Sequence, residues 1–133
     1  MTPRRRDLRS TTGLVGPARI GPDAAALAAR LRPGDVAVVD HMDLDRAAAE
    51  ALAAARPAAV LNASRSISGR YPTLGPQVLL AAGVPLVDDL GPDVLAVPDG
   101  HALRVDEGAV YDGEGLVAEG DLQTAESVDE AMT

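Results

Sequence analysis

The chain has 133 residues with no cysteine, tryptophan or phenylalanine and only two tyrosines, which excludes disulfides, thiolate metal sites and cysteine nucleophiles. A single domain of this length buries roughly two thirds of its unfolded surface, and here the core must come from Val, Leu, Ile and Ala, which favours thin layers over a deep aromatic pocket. The net charge of −8 is unevenly distributed: residues 1–70 hold eleven Arg against seven acids, whereas residues 71–133 hold only Arg104 against thirteen.

Residues 1–12 form a polar arm with Arg4, Arg5, Arg6 and Arg9, expected to be disordered. Such an arm can touch nucleic acid, anionic lipid or an acidic partner. Without interleaved aromatics it reads as a solvated tail, and no nucleic acid is expected as a partner. No apolar run approaches the roughly 20 residues of a membrane span, and the arm lacks the apolar stretch of a signal peptide.

Gly13–Ile20 is expected to be a short edge strand. Pro22–Leu31 reads as a helix started by Pro22 and Asp23 and ended by Pro33-Gly34. Asp35–Asp40 (DVAVVD) is a buried strand by its run of β-branched residues. Asp43 or Asp45 then caps a helix that ends near Arg56. Ala58–Ala63 is a second buried strand, Leu74–Ala82 a helix, and Val84–Asp88 a third strand. This order implies right-handed parallel crossovers. From Pro98 onward the pattern alternates with Glu-Gly and Asp-Gly turns, as antiparallel hairpins do. Asp121–Met132 begins another helix, with Thr124 as N-cap and no pattern that closes on the domain.

Two places invite chemistry. In the loop Ser64–Pro72, Arg65, Ser66, Ser68, Gly69, Arg70 and Tyr71 precede the Leu74 helix, with Thr73 between. Unpaired amides at a helix start attract anions, and two arginines add to that attraction, so an anionic small ligand is expected there. The competing reading is a solvated connection that caps the helix through Thr73. At the end of the first buried strand, Asp40, Asp43 and Asp45 with His41 offer hard oxygen ligands for Mg²⁺ or Ca²⁺. Helix capping by Asp43, with Asp45 in the first turn, explains these acids more simply. His101 follows an Asp-Gly turn with no Ser or Cys nucleophile evident. No phosphate loop, dinucleotide fingerprint or catalytic triad pattern occurs, so no catalytic residue, metal or cofactor is assigned.

The order GDVAVVDHMD, helix, AAVLNA, glycine loop, helix, AAGVPLVDD and PDGHALRVDEGAVYDG resembles the swivelling β/β/α domain of phosphoenolpyruvate-utilising enzymes over Gly34–Asp112. The resemblance implies an α/β, three-layer domain over residues 13–120, with a parallel core sheet and a C-terminal β-hairpin meander. It places that family's phosphorylatable histidine at about Leu74, where leucine cannot carry a phosphoryl group.

RLRPGDVAVVDHMDLDRAAAEAL, SISGRYPTLGPQVLLAAGVPLVDD and QTAESVDEAM also resemble the N-terminal part of SteA-like actinobacterial cytokinetic-ring proteins, from about Gly16 to the C-terminus. That resemblance implies a cytoplasmic domain at the division site, a protein partner in the division machinery and a role in controlling peptidoglycan hydrolysis. The SISGRYPTLGP loop would be the contact surface. Such proteins continue into a part resembling thiamine pyrophosphokinase, so 121–133 is expected to start a linker helix. The alternative is the front half of a thiamine pyrophosphokinase-like nucleotide-binding enzyme.

Overall fold

A computed structural model describes residues 13–69 and 73–132. The parallel core is built from four strands in sequence order, β1 (Leu14–Ile20), β2 (Val36–Val39), β3 (Ala59–Asn62) and β4 (Leu86–Asp88). Three helices connect them: α1 (Ala24–Ala28), α2 (Arg46–Ala54) and α3 (Gly75–Ala81). Right-handed crossovers between strands laid down in one direction leave every connecting helix on the same face. Accordingly Leu27, Ala49, Leu52 and Leu79 share one core cluster with Ala37, Val39, Val60 and Leu86.

The opposite face of the same strands presents Val36, Val38, Leu61 and Val87, which pack on Leu103, Val105 and Val110. These belong to the antiparallel strands β5 (Ala102–Asp106) and β6 (Ala109–Asp112), followed by β7 (Gly115–Glu119). Covering both faces explains why β2 and β3 read as unbroken apolar runs rather than alternating ones. With no Phe or Trp available, the largest fully buried side chains are leucines and valines.

The first strand departs from expectation. Gly13–Ile20 was expected at an edge, yet β1 sits in the middle of the sheet, pairing in parallel with β2 and antiparallel with β5. Its short, glycine- and proline-interrupted sequence hides that position. Gly16 is required because a Cβ there would collide with the carbonyl of Gly34. The Asp99 carboxylate fastens the far end of β1 by accepting from Ile20 N at 2.8 Å, and that bond holds its pKa below the ordinary value.

The helix starts are split between agreement and correction. Asp23 caps α1 through Ala25 N and Ala26 N, and Asp45 caps α2 through Ala48 N at 2.7 Å. Asp43 does not cap, because its backbone is left-handed, with φ 55°. Thr73 does not cap α3 either; its hydroxyl donates to Leu44 O, and the N-cap position is Leu74. The expected hairpins are present, turning at Glu107-Gly108 and Gly113-Glu114.

The tail was expected to lack a pattern that closes on the domain, but it folds onto it. After the single residue Gly120, β8 (Asp121–Leu122) pairs antiparallel with β4. Helix α4 (Ala125–Met132) follows, with Thr124 accepting from Ser127 N as the expected cap, and buries Val128. The missed signal is one valine among polar neighbours, too little for periodicity to register. The complete strand order is β7-β6-β5-β1-β2-β3-β4-β8, so Gly120 joins the two ends of one sheet and the sheet curls until they meet. A Cβ on Gly120 would collide with Asp88 O, and one on Gly108 with Gly120 O.

Removing residues 121–133 is therefore expected to lower unfolding free energy by more than the roughly 0.5 kcal/mol of an ordinary surface change. Val128→Asp should reproduce most of that loss in urea denaturation. An unchanged midpoint in both variants would show that the segment adds nothing to the fold.

Candidate functional site

In open α/β sheets ligands approach the carboxyl ends of the parallel strands. Here those ends are Asp40 and His41 after β2, Asn62 closing β3, and Asp88 closing β4. Asn62 is fully buried, and its amide uses every hydrogen-bonding position it has. Its Oδ1 accepts from His41 N and Ser64 N, both at 3.0 Å, while its Nδ2 donates to His41 O at 2.9 Å and Ser66 Oγ at 2.8 Å.

Ser66, also fully buried, continues the network. Its hydroxyl donates to Asp88 Oδ1 at 2.5 Å and its backbone N–H to Oδ2 at 3.0 Å. The Ser66 hydroxyl is thus enclosed between Asn62 and Asp88 and faces no solvent.

A second set of bonds staples the loop after β3 to the one after β2. Asp43 accepts from Ser68 N at 2.8 Å and Ser68 Oγ at 2.9 Å, and its own N–H donates to Arg65 O. Leu44 N donates to Ser66 O, Thr73 reaches Leu44 O, and Ser64 Oγ donates to Asp40. The left-handed backbone of Asp43 aims its carboxylate into the neighbouring loop, which is why it is unavailable as a cap.

The three acids considered for a metal thus serve three different partners: Asp40 holds Ser64, Asp43 holds Ser68 and Asp45 caps α2. Among the described residues no group of three or more acids or histidines is placed to hold a metal ion. His101 is not isolated; its Nδ1 lies 2.9 Å from Asp112 Oδ2, just before the turn of the β6–β7 hairpin.

Of the expected anion-binding residues, Ser66, Ser68 and Thr73 are engaged internally, Gly69 is exposed with φ 88°, and Arg70 and Tyr71 lie outside the described residues. Arg65 is exposed and pairs with Asp89 at 3.7 Å. The start of α3 gives no open cradle, because Gly75 and Pro76 are buried and Gly75 packs directly on Leu44 O. Arg65 instead borders a cleft of about 580 Å³ lined by Asp88, Asp89, Glu107 and Asp121. Four carboxylates beside one guanidinium repel an anion. Arg65 therefore stands among carboxylates in that cleft.

Sequence reasoning missed Asn62 and Asp88, the two residues that organise this region. Both had a signal: a polar residue ending a buried apolar strand, in AAVLN and VPLVD. Burial pushes the Asp88 carboxyl up to about 6; the Ser66 bonds oppose that rise, while Asp89 and Asp121 add to it. No protein-family model and no curated protein matches the chain.

Because the folded pKa of Asp88 exceeds its unfolded value near 3.9, the folded state holds the extra proton between those values. The associated stability is fully present below pH 4 and is lost as pH rises through about 6. A shift of this size amounts to about 3 kcal/mol. Asp88→Asn should remove that fall, so the difference in urea midpoint between wild type and variant should change between pH 4 and pH 7. A constant difference would show that Asp88 does not titrate in this range.

Proposed function

We propose that this chain is a protein-interaction domain of the SteA-like type, acting at the division site in the control of peptidoglycan hydrolysis, with a swivelling β/β/α architecture. The observation that carries the interaction reading is a rim with two large apolar side chains turned outward. Met42 is 58% exposed and Leu74 48% exposed. Met42 belongs to the loop that carries Asp43 and Leu44, and Leu74 follows Thr73, whose hydroxyl donates to Leu44 O. A fixed backbone presenting apolar groups loses little conformational entropy on binding, and exposed apolar side chains on a polar rim suit a protein partner.

Other observations favour binding over catalysis. Leu74 opens α3 at the position where the swivelling-domain resemblance puts a phosphoryl-carrying histidine, and it offers no atom to a phosphoryl group. The Ser66 hydroxyl is enclosed. The layered arrangement, with helices on one face of the parallel strands and hairpins on the other, supports the swivelling reading. Among the described residues no helix is long and apolar enough to cross a membrane.

The test is localisation. A fluorescent fusion in an actinobacterial cell is expected to concentrate at the septum, and the double variant Met42→Asp, Leu74→Asp to be diffuse at equal abundance. Both positions are exposed, so the melting temperature should be nearly unchanged, each substitution costing no more than about 0.5 kcal/mol. A diffuse wild type, or a variant that still gathers at the septum, would overturn the proposal.

A further inference from the structure

The last segment of the chain is attached along a seam of like charges. In the β4–β8 pair Asp88 stands directly opposite Asp121, and Val87 opposite Leu122. Directly opposed residues of an antiparallel pair project from the same face with Cβ atoms about 5 Å apart, and like charges there oppose the pairing. Both aspartates line the 580 Å³ cleft.

The elements around Asp88 bring little compensating charge. The loop after β3 brings Ser66, which is neutral, and Arg65, which is drawn to Asp89 at 3.7 Å. The end of β4 adds Asp89, β8 adds Asp121, and the β5–β6 turn adds Glu107. The residues that the tail contributes from Gln123 onward are the uncharged Gln123, Ser127 and Ala131. Arg65 is thus the one cation among the described residues lining the cleft. Among the forces that hold the segment down are the two-residue ladder, Gln123 N donating to Leu86 O at 2.9 Å, and the buried Val128 against α3. The ladder is two residues long, and a like charge directly opposed within it works against the pairing.

We propose that residues 121–132 form a proton-sensitive latch: with Asp88 neutral the segment closes on β4 and α3, and with Asp88 and Asp121 both ionised it lifts from them and opens the cleft. The Asp88 carboxyl is pushed up to about 6, first by burial and further by Asp89 and Asp121, against the Ser66 bonds. Linkage makes the effect reciprocal: closure favours the proton, so the proton favours closure. Gly120 lies at the pivot, where the chain passes from β7 into β8 and packs on the Asp88 backbone.

Hydrogen exchange read by mass spectrometry tests this, with rates corrected for the intrinsic effect of pH. In wild type the amides of residues 122–132 are expected to exchange roughly tenfold more slowly at pH 5 than at pH 7.5, the equivalent of one pKa unit. Those of α2 should not change. Asp121→Asn should give slow exchange at both pH values, and Asp88→Asn the same. Asp121 is exposed, so its variant reports on the seam even if Asp88→Asn fails to fold. Equal protection at both pH values in wild type, or an undiminished pH response in Asp121→Asn, would overturn the latch.

Discussion

The site depends on one buried amide. Asn62 sits where water cannot reach, at the point where β3 ends, and binds the backbone of His41 on one side and Ser64 and Ser66 on the other. A buried donor or acceptor left without its partner costs about 1–3 kcal/mol. An apolar residue at position 62 would orphan several such groups together. Side chains with both donors and acceptors are few, and of those only a short amide fits this space and needs no counter-charge. Leucine would continue the apolar run, but it would leave two loops with no fixed relation to each other. The rim bearing Met42 and Leu74, the enclosed Ser66 hydroxyl and the placement of Asp88 all follow from that clamp.

The uneven charge of the chain becomes spatial in the fold. Several arginines of the first half are paired: Arg19 with Asp35 and with Asp99 of the second half, Arg30 also with Asp99, and Arg46 with Glu50. Other acids of the second half gather where β4, β8 and the β5–β6 turn converge, with Arg65 as the single cation among the described residues lining that cleft. Exposed pairs of the first kind contribute little to stability. The second kind opposes folding locally, and it is tolerated because the surrounding apolar layers are continuous on both faces of the parallel strands.

How much of this was legible varied with the number of residues that specify each element. β2, β3 and β4 announced themselves because both faces are buried, so nearly every position is apolar, and the hairpins did so through Glu107-Gly108 and the glycines around Glu114. β1 was misplaced, since its neighbours are chosen by pairing with Ala102–Val105, a contact that local pattern does not encode. Asp43 and Thr73 were read as caps because their residue types favour that role, yet each found a partner across the loop. Nothing in a single sequence distinguishes an aspartate that caps its own helix from one that holds a distant serine. The folding-back of α4 rests on Val128 and the glycine pair 108 and 120, and a backbone collision avoided leaves no hydropathy signal.

The central position of β1 also dictates the order in which the molecule can be completed as it is synthesised. Its Leu14–Pro17 half has no partner until Ala102–Val105 leaves the ribosome, although β2 can already hold the Ala18–Ile20 half. Throughout that interval the nascent chain exposes an unpaired strand edge together with the apolar inner faces of β2 and β3. Such edges recruit other strands, so the growing chain is most open to mispairing just before Ala102–Val105 emerges. Val15, on this strand, remains 63% exposed in the finished fold, and a more strongly apolar β1 would lengthen the time for which translation leaves a sticky edge uncovered.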